Sequence, residues 1–450
     1  MDGHKAQKLK QQQGQPLNTP PTVTDRLVHF WYEDLPPLYG PLRLVYYSLT
    51  WLVTFRWFPI PSGPLDTLLS VQKCTDSYNG LLHFSKLRLQ YPYQSGIFGY
   101  FLSTLDDPSS FWMFNCSALV GILNTSLVLC ALGFGWKVPR VLAAFTFCFL
   151  KCMNQTAWNG GGVHSTLLGC YAFVALCFAE NNLVDRWSLD SLLLSMYQGV
   201  GPSGPSCIPR KSVFIVNGAS AGGAARKFIM CVVVVSFFFA GTHKLSEAAW
   251  PGWLAGGALR HAINRQNGHW PWLHNLVADN DWLCIPLAFA TVIGEIGAIA
   301  ILIWKRWRPF GIASFFLFHI GVYLMMLPNF FAQCIVYLLI IEWSSHYEQF
   351  LGKRKVSVKS ESAPIRCSGV PRSWRVGAWL YSSILATFFL AALFRIDGLP
   401  FYSWDLYSGI DSPTPFMQET IEHGSHNCMT QPPLNPLCQH LGSSSTVSCP

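Results

Sequence analysis

Apolar positions in this chain come in long blocks separated by short polar stretches. The block FIMCVVVVSFFFA at 228–240 carries no charge, and several others approach the ~20 residues a helix needs to cross a bilayer. Reading the blocks in order predicts membrane helices over residues 42–60, 111–134, 139–157, 164–180, 228–244, 283–304, 309–327, 329–345 and 376–394. The predicted fold class is therefore all-α: a multi-pass transmembrane bundle of about nine helices. Residues 1–40 form a polar, Gln- and Pro-rich tail, and 41–345 the main membrane domain. Residues 346–375 form a basic loop, 376–395 carry the last transmembrane helix, and 396–450 a Pro/Ser-rich tail with cysteines. The loop at 61–108 holds Tyr91, Tyr93, Phe98 and Tyr100, which suit a membrane surface.

Composition agrees with this reading. The 450 residues are 51% hydrophobic and 12% charged, about half the ~25% charge of a soluble domain. The first 40 residues lack the apolar core of a signal peptide, so the first membrane helix is expected to direct insertion. Net charge is +8, and its placement decides its meaning. With nine spans and a cytoplasmic N-terminus, most of the 31 basic residues fall on the cytoplasmic side, including Lys305-Arg306 with Arg308 and Lys353-Arg354-Lys355. The tail after Arg395 is nearly free of Lys and Arg, which places it in the lumen. The basic charge is thus assigned to topology and to the lipid bilayer, with no nucleic acid expected. The expected location is the endoplasmic reticulum or another endomembrane.

Candidate chemistry is sparse. No zinc motif, phosphate-binding glycine loop or nucleophile elbow is present, and no metal is expected. The 15 cysteines include no C-x-x-C pair; Cys130, Cys148, Cys170 and Cys231 read as small buried hydrophobes. Cys74, Cys428, Cys438 and Cys449 sit in polar segments and are disulfide candidates in an oxidising lumen, with connectivity left open. Trp187-Ser188-Leu189-Asp190 reads as a helix cap or anchor.

Lys244 closes the 228–240 block. A lysine there is either an anchor snorkelling to water or a functional group at the membrane edge. A functional Lys244 is expected beside an apolar cavity open to lipid, and an anchor in bulk solvent. The loop AWNGGGVHS at 157–165 falls at the same predicted lumenal edge, so Trp158, Asn159, His164 and Lys244 are candidates for one site. Glu295, in ATVIGEIGAIAIL, and His319, in FFLFHIGVYLMM, lie mid-span. Ionisable residues at that depth are either functional or hydrogen-bonded between helices.

Taken together and in order, these segments resemble one family. FAGTHKLSEAAWPGWLAGGAL is similar to the A-G-x-x-K-L…W…G stretch of the HTTM membrane domain, shared with vitamin K-dependent gamma-glutamyl carboxylase. AWNGGGVHSTLLGCYAF resembles its W-N…H segment, RWSLD its W-S-[LV]-D, and FFLFHIGVYLMML its F-H helix. The resemblance covers roughly residues 40–345. It implies that Lys244 is the base that deprotonates a vitamin K hydroquinone-like quinol. In the carboxylase, the reaction of that quinol with O₂ drives removal of a γ-proton from a peptide glutamate and addition of CO₂. It also implies that His164 stabilises a developing oxyanion, and that Trp158, Asn159, His243, Glu295 and His319 surround the substrate. A lysine base must first lose its proton, since a free amine titrates near ~10.4; desolvation or a neighbouring cation favours that loss. The chain departs from the pattern in three places. His164 lies six positions after Trp158, against three in the family; Ser246 stands where the family has an acid, with Glu247 adjacent; and no large lumenal substrate-binding domain follows. The rival expectation is a non-catalytic multi-pass protein that uses the same scaffold for binding, transport or assembly.

Overall fold

Backbone N–H and C=O groups have no water to bond inside hydrocarbon, so apolar runs of this length take up helix, which pairs both within one segment. The computed structural model describes residues 22–32, 40–54, 108–157, 164–179, 188–197, 221–245, 253, 255–264, 270–325, 330–341 and 372–394. All belong to the unit Met1–Ser408; the second unit, Gly409–Pro450, lies outside the described residues. The helices are α1 (Val23–Tyr32), α2 (Gly40–Thr54), α3 (Pro108–Leu132), α4 (Val138–Ala157), α5 (His164–Cys177), α6 (Leu189–Tyr197) and α7 (Ala221–Lys244). There follow α8 (Gly257–Asn264), α9 (Pro271–Ala278), α10 (Asp281–Gly297), α11 (Ala300–Ile303), a 3-10 turn (Lys305–Trp307), α12 (Arg308–Met325), α13 (Phe331–Ile340) and α14 (Arg372–Leu393). No strand occurs among the described residues, and the fold is all-helical.

A helix stands at each predicted stretch, but the helices are not equal. Three are long and apolar enough to cross a membrane by length and composition: Ala221–Lys244, Asp281–Ile303 and Lys305–Met325. Others are short. The stretch predicted as 329–345 is helical over the 10 residues Phe331–Ile340, about 15 Å, or half a hydrocarbon core.

α7 is the hub. Its apolar stretch is 89% buried, against 28% for each of the other two long helices. It is apolar all round, which suits a helix enclosed by others, and α1, α5, α10, α13 and α14 all pack on it. α10 and α12 instead leave Ile285, Leu287, Phe289, Phe310 and Leu317 exposed, an outer face fitted to lipid tails. Exposed tryptophans mark both ends of the Asp281–Ile303 rod: Trp270, Trp272 and Trp282 at one, Trp304 and Trp307 at the other. Its 23 residues span about 34 Å, close to the thickness that aromatic belts bracket.

Helix ends expose carbonyls that need donors, and arginines supply them here. Arg43 donates to the carbonyls of Cys130 and Ala131 at the end of α3, at 2.7 and 2.8 Å. Arg226 donates to Leu339 and Ile341 at the end of α13, both at 2.6 Å. Arg308 donates to Ile301 in α11 at 3.1 Å. All three are buried. Each is withdrawn into the interior to end a helix. Gly133 turns the chain out of α3 at φ +68, and a Cβ there would meet the Arg43 guanidinium.

Residues 1–40 are not wholly a polar tail. Thr22 and Asp25 cap α1 reciprocally, at 3.0 and 3.2 Å. Tyr32 stacks on Trp374 of α14 at 4.5 Å, and Trp31 donates to Ser382 at 2.8 Å. At α6, Ser188 accepts the Ser191 N–H at 3.1 Å, and Asp190 accepts the N–H groups of Gly135 and Trp136 at 3.0 and 2.7 Å. Cap and anchor therefore describe these two residues.

Replacing Arg226 with Met should lower stability by about 2–3 kcal/mol, because two buried carbonyls lose their donor. Thermal unfolding in detergent measures this; an unchanged midpoint would show that the cap contributes nothing.

Candidate functional site

The site begins with a glycine. Gly241, in the last turn of α7, lies so close to α10 that a Cβ there would sit 2.8 Å from Ile296 Cγ1 and 2.9 Å from both Glu295 Cβ and the Ile296 backbone nitrogen. Only a residue without a side chain lets the helices approach this far. Three residues later on the same face, Lys244 reaches Glu295: its Nζ lies 2.6 Å from both Oε1 and Oε2. Lys244 is 3% exposed and Glu295 5%. The Trp253 ring closes over the ammonium, 4.8 Å from Nζ to the ring centroid, and is itself 3% exposed.

This geometry removes the anchor reading, because the amine does not reach water. Glu295 stands 14 residues past Asp281, about 21 Å along the helix axis. Lys244 is level with it, so the end of α7 lies well along α10, and Trp253 with the core it belongs to covers the pair. Trp253, Leu259, Ile263, Val277, Cys284 and Val292 form a second core beside the first half of α10. Gly256, at φ +70, lies against Ile285 N and the Cys284 carbonyl carbon, at 2.9 and 3.0 Å from where a Cβ would be. Arg260 donates to the Ala278 carbonyl at 2.9 Å and pairs with Asp281. α9 is tied to the end of α12 by Trp270 N–H to Leu324 O, 3.1 Å, and His274 Nδ1 to Met325 O, 3.1 Å. Where a cavity open to lipid was expected, Trp253 and this core cover the amine.

His319 is buried in a different group. Its Nδ1 donates to the Phe315 carbonyl at 2.9 Å and lies 3.5 Å from the Tyr337 hydroxyl, which donates to Gln333 Oε1 at 3.3 Å. Phe237, Phe318 and Phe330 surround the ring edge-on. The His319–Tyr337 contact links α12 to α13. His243 is buried next to Lys244, edge-on to Phe239. His164 opens α5, and its side chain lies outside the described residues, as do Trp158, Asn159, Cys74, Cys428, Cys438 and Cys449. The structure thus brings together Lys244, Glu295 and Trp253. Of these, Trp253 escaped the sequence reading, although its place in the W-P-G-W run, nine positions after Lys244, was a usable signal. Among the described residues, no group of three or more His, Cys, Asp or Glu side chains converges as a metal site.

No family model, curated protein or solved structure matches the chain. The site is read from its own chemistry.

Two charges removed from water cost several kcal/mol each in desolvation, and apolar replacements of such pairs are often neutral or stabilising. Lys244→Met should therefore cost about 3–5 kcal/mol by stranding a buried carboxylate, and Lys244→Met with Glu295→Leu should recover most of that loss. Unfolding midpoints of the single and double variants measure it. A double variant as unstable as the single would mean that the pair is not coupled.

Proposed function

We propose that this chain is an HTTM-type integral membrane protein in which the Lys244–Glu295 pair handles the proton of a lipid-soluble quinol. The observation that carries the reading is the two-point contact at 2.6 Å between an amine and a carboxylate, both buried on long apolar helices. An ionisable pair at that depth is functional by default. In this reading about nine helices cross an endomembrane, with the N-terminus cytoplasmic and the C-terminus lumenal.

The residues fit such a substrate. Passage of a proton from Nζ to a Glu295 oxygen converts the ion pair into a neutral amine and a carboxylic acid, and removes both charges from low-dielectric surroundings. The free Lys244 amine then accepts the quinol O–H proton, and the resulting ammonium balances the new oxyanion. The core behind Trp253, with Leu259, Ile263 and Val292, is apolar, as the surroundings of a lipid-soluble ring must be. A vitamin K hydroquinone-like quinol would supply, with O₂, the strong base that the family resemblance implies for a carboxylase/epoxidase-like lyase acting on a peptide glutamate.

One observation favours a second reading. Both Glu295 oxygens are taken by Lys244, as in a clamp that locks α7 to α10 in a non-catalytic protein for binding, transport or assembly. Purified protein given reduced vitamin K and O₂, with and without a glutamate peptide, separates the two. We predict epoxide from the wild type and a loss of about 100-fold or more in the stable Lys244→Met/Glu295→Leu variant. No epoxide from the wild type favours the clamp, and full activity in the double variant removes the pair from the chemistry.

A further inference from the structure

The indole nitrogen of Trp253 is buried and has no hydrogen-bond partner among the described residues. A buried N–H left unpaired is costly, and in folded proteins such atoms are nearly always satisfied. This one lies in a ring that faces the Lys244 ammonium at 4.8 Å. The core to which Trp253 belongs is apolar: Ala258, Leu259, Ile263, Ala288 and Val292 carry no side-chain acceptor. A lone water is poorly suited, because a buried water needs two to four polar partners. The site therefore presents two donors, the Trp253 N–H and the Lys244 ammonium, inside an apolar surround. Glu295 is the acceptor at hand, and its two oxygens already meet Lys244.

Two donors flanked by apolar side chains match an aromatic ring that carries an acceptor oxygen. They do not match a hydrocarbon of the same shape. We propose that the indole N–H of Trp253 is the donor that recognises a carbonyl or phenolate oxygen of the lipid-soluble substrate at the Lys244–Glu295 pair. The inference rests on the quinol reading above and adds to it a specificity residue. A hydrogen bond made to a quinolate is stronger than one made to a neutral oxygen, so Trp253 also favours the anion that Lys244 creates. Trp253 moves no proton; it selects and holds the oxygen.

The test uses the full chain in detergent and two tritiated probes with the same short isoprenoid tail, one a methyl-naphthoquinone and the other a methyl-naphthalene. Binding of each is measured on the wild type, on Trp253→Phe, and on protein carrying the benzothiophene analogue of tryptophan at 253. That analogue keeps the ring and replaces N–H with sulfur, so it tests the donor even if Trp253→Phe folds poorly. The wild type should prefer the quinone, and both altered proteins should bind it about tenfold more weakly while binding the hydrocarbon unchanged. A quinone preference that survives both changes overturns the role of Trp253 and leaves the quinol reading standing. A wild type with no preference between the probes overturns the quinol reading and this inference with it.

Discussion

The contact between Lys244 and Glu295 sets the arrangement of the middle of this protein. It requires α7 and α10 to touch backbone to side chain, and the absent side chain at Gly241 permits that. It requires α7 to stop well along α10, because a longer α7 would carry its lysine past the carboxylate. It also requires cover. Trp253 and the core behind it cover the pair, and the ammonium they withdraw from water is tolerable because Glu295 meets its charge.

Around this centre, polar groups hold an otherwise apolar assembly in register. Arg43, Arg226 and Arg308 each reach from one helix to the carbonyl end of another. A side-chain contact between His319 and Tyr337 links α12 to α13. Lipid tails are as apolar as leucine, so apolar burial alone discriminates poorly between one helix arrangement and another. Directional bonds to fixed carbonyls discriminate well. α7 is the helix on which most of these elements converge, through Arg226 at one end and Lys244 at the other.

Hydropathy located the stretches that hold α2 to α5, α7 and α10 to α14, because their residues are apolar in unbroken runs, and it missed α1, α6, α8 and α9. It was also enough to single out Glu295 and His319, since a charge or imidazole in ATVIGEIGAIAIL or FFLFHIGVYLMM stands alone. Partners were not legible. Lys244 and Glu295 are 51 positions apart, and nothing local in either helix says that they face each other. The burial of Lys244 was not legible either, because it depends on Trp253 and the core behind it. Arg43, Arg226 and Arg308 were legible as basic residues near helix ends but not as caps, since capping depends on which helix end lies opposite. Trp253 sits in a Gly- and Pro-flanked run where periodicity carries little information. Trp158, Asn159 and the cysteines of the tail fall outside the described residues, and their expected roles stand on the resemblance alone.

The central claim is that the pair is a working proton site and not a fixed clamp. Infrared difference spectra of the purified protein, recorded on adding a quinol and compared with the Glu295→Gln variant, report the charge of that carboxyl directly. The account predicts that quinol converts the Glu295 carboxylate band into a protonated carboxyl band, absent from the variant. A carboxylate band that stays unchanged with quinol bound would contradict it.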